Sequence, residues 1–307
     1  MMAISRAMRT ALKALSYPDI DIKKNYKAER NIKNLSSKLS IRNKGRHSWD
    51  RQLICGDRLI PVRTFTPHNK LSEPVLLFFH GGGWVTGNIE SYDNLCYDMA
   101  LITGRVVVSV DYRLAPEHPF PAGIEDCYAV ARELHLNGFD GRPCDVTLIG
   151  DSAGGNIAAV VSLMARDRGE FEVKKQILIY PATYYDHTEE SPFPSVVENG
   201  TDYLLTSKKV CDYLDLYLEG TTDIKQPYIA PLVSSDLSNQ PETLLITAEF
   251  CPLRDEGEAY GWKLEEFGNK VQMHRIADAL HGYFTLSLRF NAVKLTYGYI
   301  NRFLSGG

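Results

Sequence analysis

Gly150-Asp151-Ser152-Ala153-Gly154-Gly155 follows the apolar run Val146–Ile149 and precedes a helical pattern, and its reading decides the fold. The segment fits G-x-S-x-G between a strand and a helix. In such an elbow the serine sits in a strained strand-to-helix turn, so its neighbours must be small and its hydroxyl is pushed out above a sheet. The helix starting there aims its N-terminal dipole and free N–H groups at developing negative charge. Taken alone, the segment also fits a glycine-rich turn carrying an incidental serine.

Upstream, His80-Gly81-Gly82-Gly83-Trp84 directly follows the strand-like run Val75–Phe79. Three consecutive glycines let the backbone turn its N–H groups toward a ligand, the usual construction of an oxyanion hole on an α/β-hydrolase. With glycine at about 7% of average usage, a chance HGGG has odds of roughly one in several hundred. His80 reads as a local hydrogen-bonder, because it precedes that loop and not the end of the sheet. Triad order on this fold is nucleophile, acid, histidine, so the base must lie well beyond Ser152. Three histidines qualify: His187, His274 and His281. His187 falls in an apparent insertion and His274 inside the strand-like run Val271–Ile276. His281 follows that strand in a loop with Gly282, which makes it the expected general base for Ser152.

Further out, strand-like runs at Leu59–Phe65, Arg105–Val110, Gln176–Tyr180 and Thr243–Thr247 join those already named. They alternate with helix-length stretches around 91–103, 122–136, 155–167 and 254–268. That alternation predicts an α/β fold with a parallel sheet covered on both faces. Residues 183–226 break it with Tyr184, Tyr185, Phe193, Tyr203, Tyr213 and Tyr217 set among charges, as an inserted piece would. Residues 19–47 are polar with scattered Ile and Leu, and read as helices over a larger body. In residues 1–16, Ile4, Met8, Ala11, Leu12 and Leu15 share one helical face.

Composition bounds the function. The 307 residues carry 34 Lys and Arg against 38 Asp and Glu, a net charge of −4, which leaves no cationic excess for nucleic acid. No window reaches the roughly 18 apolar residues of a membrane span, so no stable membrane association is expected. Arg6, Arg9 and Lys13 interrupt the stretch where an export signal needs an apolar run, and the six cysteines include no CxxC pair or zinc spacing. The expectation is a reduced, cytoplasmic chain without a metal.

HGGGW at 80–84, Asp111-Tyr112-Arg113-Leu114-Ala115-Pro116-Glu117-His118-Pro119-Phe120-Pro121-Ala122, GDSAGG at 150–155, and Pro252-Leu253-Arg254-Asp255-Glu256 with His281-Gly282 resemble the bacterial hormone-sensitive-lipase-like carboxylesterases over about residues 75–285. The resemblance implies an α/β-hydrolase fold: a mostly parallel sheet with helices on both faces, 48–182 and 227–307, under a helical cap from 1–47 and 183–226. It implies hydrolysis of short-acyl esters with no metal or organic cofactor. Residue by residue, it makes Ser152 the nucleophile, His281 the base, and the N–H groups of Gly82, Gly83 and Ala153 the oxyanion hole. The expected partner is a small-molecule ester, with a homodimer also compatible. The cap aromatics are expected to wall the substrate pocket.

One position departs from that pattern. Where the family has Asp-Pro-Leu-x-Asp with the first Asp as triad acid, this chain has Cys251-Pro252-Leu253-Arg254-Asp255. A thiol neither fixes the histidine tautomer nor supports an imidazolium as a carboxylate does. Cys251 is then a small residue filling the acid's slot, or a thiolate standing in for it. Asp255, about one helical turn on, is the candidate substitute acid, against a plain reading as a helix-start cap. The competing function is a small-molecule binding protein on the esterase fold, as in the plant gibberellin receptors that the same resemblance covers. Cys251 as nucleophile is the poorest fit, since its slot points at the histidine from the side away from substrate.

Overall fold

The computed structural model describes residues 21–39, 48–67, 75–139, 141–221 and 223–306. The amphipathic helix expected over residues 1–16 lies outside the described residues. A two-residue Gly56-Asp57 turn, with Gly56 at φ +65°, joins β1 (Ser48–Cys55) and β2 (Arg58–Phe65) in an antiparallel hairpin. Next come β3 (Val75–Phe79), β4 (Val107–Val110), β5 (Val146–Asp151), β6 (Lys175–Ile179), β7 (Glu242–Phe250) and β8 (Val271–Leu280). They form one eight-stranded sheet in the order β1-β2-β4-β3-β5-β6-β7-β8. Pairing is antiparallel as far as β2·β4 and parallel from there on. An antiparallel edge beside a parallel body is the mostly parallel sheet that was expected. The two-residue turn obliges β1 and β2 to pair antiparallel, and β1, SWDRQLIC, forms the largely exposed edge.

The helices are α1 (Ile22–Leu39), α2 (Asp93–Thr103), α3 (Ala122–Leu136), α4 (Ala153–Arg168), α5 (Pro194–Glu198), α6 (Ser207–Tyr217), α7 (Arg254–Glu266) and α8 (Asn291–Leu304). Burial runs unbroken through β3, β5 and Ala153–Ala165 of α4, which is why these sequences are apolar or small without helical or strand periodicity. After β3 the chain steps to β4 on one side, and after β4 it returns to β5 on the other. The carboxyl ends of β3 and β5 therefore flank a topological switch point, where open α/β sheets hold their ligands. Phe79 pairs with Gly150 across them, so the His80-Gly81-Gly82-Gly83 loop and the serine elbow leave the sheet side by side.

Candidate active site

Ser152 lies between β5 and α4 at φ +56°, ψ −120°, a backbone conformation that side chains rarely adopt. Its N–H donates to the Ile179 carbonyl at 2.9 Å, and its own carbonyl accepts from Asn156 N–H at 3.0 Å, which holds the turn from both sides. Gly154 makes the close approach possible: a Cβ there would collide with the Phe79 carbonyl, so any larger residue would push α4 off the end of β3.

The glycine loop is fixed by its carbonyls. Gly81 C=O meets His80 Nδ1 at 2.9 Å, and Gly82 C=O accepts from Thr86 N–H and Thr86 Oγ1, each at 2.9 Å. In a trans peptide the N–H points opposite to the C=O, so these bonds turn the Gly82 and Gly83 N–H groups the other way. Gly83, at φ +61°, lies under the Tyr213 ring of α6, which a Cβ would strike. The first amide of α4, Ala153 N–H, stands at the helix N-terminus beside Ser152. His80 stacks on Tyr112 at 4.2 Å, and its carbonyl accepts from Tyr112 OH at 2.7 Å. That is the local role expected of it.

His281 leaves the end of β8 with Nε2 2.9 Å from Ser152 Oγ. Its Nδ1 lies 3.1 Å from Cys251 Sγ, which also accepts from Leu253 N–H at 3.4 Å. Cys251 is fully buried after β7, and burial pushes its thiol well above the ordinary value, so it is held neutral. The other two histidines are engaged elsewhere. His274 stacks on Tyr299 at 3.7 Å, and His187 Nε2 lies 2.6 Å from Glu256 Oε2 with both side chains buried.

Asp255 is not brought to His281. Its carboxylate accepts from Arg254 Nε at 2.7 Å and from Ser195 N–H at 2.7 Å, and Arg254 in turn reaches Glu198 at 2.9 Å. Those bonds to Arg254 and Ser195 hold the Asp255 carboxyl below its usual range against the effect of burial. The substitute-acid expectation fails on this geometry, and so does the helix-start cap, since Leu253 occupies the N-cap of α7. What Asp255 does is latch α5 to the first turn of α7, just after Cys251.

Ser152, His281 and the glycine loop open into a cavity of about 1070 Å³. Ile22, Asn25, Ala28 and Glu29 of α1 and Val210 and Tyr213 of α6 form its far wall, with Tyr213 OH donating to Glu29 at 2.8 Å. Of the aromatics expected to wall the pocket, only Tyr213 does. Tyr184, Tyr185 and Phe193 pack on one another, Tyr203 stacks on Phe250, and Tyr217 on Trp84. Tyr92, from the body, lines the cavity and was not singled out by the sequence. Among the described residues, no group of three or more His, Cys, Asp or Glu could hold a metal ion, and no helix is long and apolar enough to cross a membrane.

A family model described as the alpha/beta hydrolase fold matches residues 76–285. The chain is 38% identical over 235 residues to the carboxylic ester hydrolase LipN of Mycobacterium tuberculosis, covering 74% of this chain and 61% of that protein. To carboxylesterase NlhH of the same organism it is 38% identical over 236 residues, covering 75% and 72%. The chain belongs to the hormone-sensitive-lipase-like carboxylesterases. Its fold matches the solved structure of a hyperthermophilic esterase from Pyrobaculum calidifontis at a TM-score of 0.86 and 36% identity, over 99% of both chains. The expected α/β-hydrolase fold is thereby borne out.

Proposed function

We propose that the chain is a serine carboxylesterase that hydrolyses short-acyl esters through an acyl-enzyme on Ser152. The observation that carries this reading is the 2.9 Å contact of Ser152 Oγ with His281 Nε2, beside the amides of Gly82, Gly83 and Ala153. In the proposed cycle His281 takes the Ser152 proton as the hydroxyl attacks the ester carbonyl. The three N–H groups stabilise the oxyanion, and His281 returns the proton to the leaving alcohol. Water then repeats the sequence on the acyl-enzyme. Cys251, a neutral thiol, occupies the acid position and slows both halves.

Of the cap expected from residues 1–47 and 183–226, the described part, α1 with residues 183–221 and 223–226, covers the body, with α1 and α6 limiting the acyl chain. A reducing, cytoplasmic setting suits six cysteines with no CxxC pair among them. The test is labelling by an organophosphate together with hydrolysis of a short-chain p-nitrophenyl ester. The wild type takes one label on Ser152 and turns over the ester, and Ser152→Ala does neither. A label on Cys251 overturns the reading in favour of a cysteine nucleophile, and none at saturating probe overturns it in favour of a binding protein.

A further inference from the structure

Asp151, the residue before Ser152, is 2% exposed and gathers three donors from three directions. Its Oδ1 accepts from Gly81 N–H at 2.9 Å, at the head of the glycine loop. Its Oδ2 accepts from Tyr92 OH at 3.1 Å and from Tyr180 OH at 3.5 Å. The Tyr180 ring packs against the His281 ring, centroids 4.7 Å apart. Gly81 is nested so closely that a Cβ there would meet the Asp151 carbonyl and Oδ2 at 2.8 Å and Tyr92 OH at 3.0 Å. One buried carboxylate thus touches the elbow, the glycine loop and the tyrosine that seats the base.

We propose that Asp151 is the positioning residue of this site, holding the Gly81-Gly82-Gly83 amides in place over Ser152 and, through Tyr180, the His281 ring against it. The inference rests on the serine-esterase reading above. Bonds from N–H and O–H donors to an ionised acceptor are roughly twice as strong as neutral ones, so the charge on Asp151 stiffens the loop. Burial raises its carboxyl from the ordinary 3.8 to about 6, offset in part by Gly81, Tyr92 and Tyr180. The titratable groups facing it are Tyr92 at the start of α2, Tyr180 after β6, Tyr112 after β4 and Cys96 in α2, all pushed upward by burial and hence neutral near pH 6. On the cavity side it faces Ser152 and His281. Asp151 therefore loses its charge as pH falls through about 6, and the loop loses its strongest tether. The sign for stability is opposite. A raised carboxyl pKa favours the folded state at low pH, and that contribution is lost as pH rises through 6, so the charge costs stability at pH 7.

The test compares Asp151→Asn and Asp151→Ala with the wild type, after organophosphate labelling of wild-type Ser152 has established the esterase reading separately. Asp151→Ala lowers kcat by about 10²- to 10³-fold, the effect of losing an oxyanion donor, with KM within about threefold. Asp151→Asn keeps an acceptor for Gly81 and recovers about tenfold of that loss, while its unfolding temperature at pH 7 equals or exceeds that of the wild type. Below pH 6 the wild-type log kcat falls more steeply than that of Asp151→Asn, the two slopes differing by about one as Asp151 takes up its proton. Should Asp151→Ala fail to fold, the Asn variant and its pH slope decide. Asp151→Asn with wild-type kcat and slope, or a folded Asp151→Ala with kcat within about threefold, overturns the proposal.

Discussion

A carboxylate behind a catalytic histidine can only accept a hydrogen bond, so it forces the proton onto Nδ1 and leaves Nε2 free to take one from serine. A thiol can donate as well as accept. With Cys251 Sγ 3.1 Å from Nδ1, His281 can also adopt the tautomer protonated on Nε2, which cannot deprotonate Ser152. In the proposed cycle the imidazolium formed on His281 then faces a neutral sulfur, because burial keeps the thiol protonated. Losing the carboxylate's function in the serine-protease template costs about 10⁴ in kcat. Cys251→Asp is accordingly expected to raise kcat by about 10² to 10⁴, with KM little changed, since the restored charge acts on the transition state. Asp255→Asn leaves kcat within about threefold and lowers the unfolding temperature, because that carboxylate serves Arg254 and Ser195. Steady-state kinetics of both variants check this pair. A crippled Asp255→Asn enzyme with a flat Cys251→Asp would mean that Asp255 supplies the acid after all.

Among the elements, those that build the site were the most legible. Val75–Phe79 is legible to the residue because it is an uninterrupted apolar run after Pro74, and 122–136 matches α3 because Pro121 precedes a helix-length stretch with apolar residues recurring along one face. The hairpin strand β1 and helix α8 were not read. The Gly56-Asp57 turn was the available signal for the first, and the buried face of Val293, Tyr297, Ile300 and Phe303 for the second. Long-range side-chain placement was the illegible part. No local pattern says that Asp255 turns to α5, or that Tyr217 stacks under Trp84 while Tyr213 enters the cavity. The seating of α1 belongs here too. Its Arg30 donates to the Val85 and Ala115 carbonyls at 2.5 Å and to both oxygens of Glu117. Bonds from a charged donor contribute about 1.5–3 kcal/mol each at most, so Arg30→Ala loosens this wall without unfolding the body. The expected outcome is a rise in the octanoate-to-butyrate ratio of kcat/KM by several-fold. An unchanged acyl-length profile would remove α1 from the account of selectivity.

At the scale of the whole molecule, the sheet order does most of the work. Stepping from β3 to β4 and back across to β5 leaves a crevice between the two strand ends, and the two glycine-rich segments of the sequence are the loops that line it. Ser152, the glycine loop and His281 therefore meet although they lie as far apart as residues 82 and 281. The same arrangement sets the Cys251 sulfur behind His281, which on the proposed mechanism is a weak point. A weak base slows water more than it slows attack on an activated ester, whose leaving group departs without help, so an acyl-enzyme should accumulate. Rapid-quench mass spectrometry of the wild type mixed with excess p-nitrophenyl butyrate measures this directly. One butyryl group on the peptide carrying Ser152, absent from Ser152→Ala, is the predicted result. Ester consumption with an unmodified chain, or a butyryl group on Cys251, would contradict it.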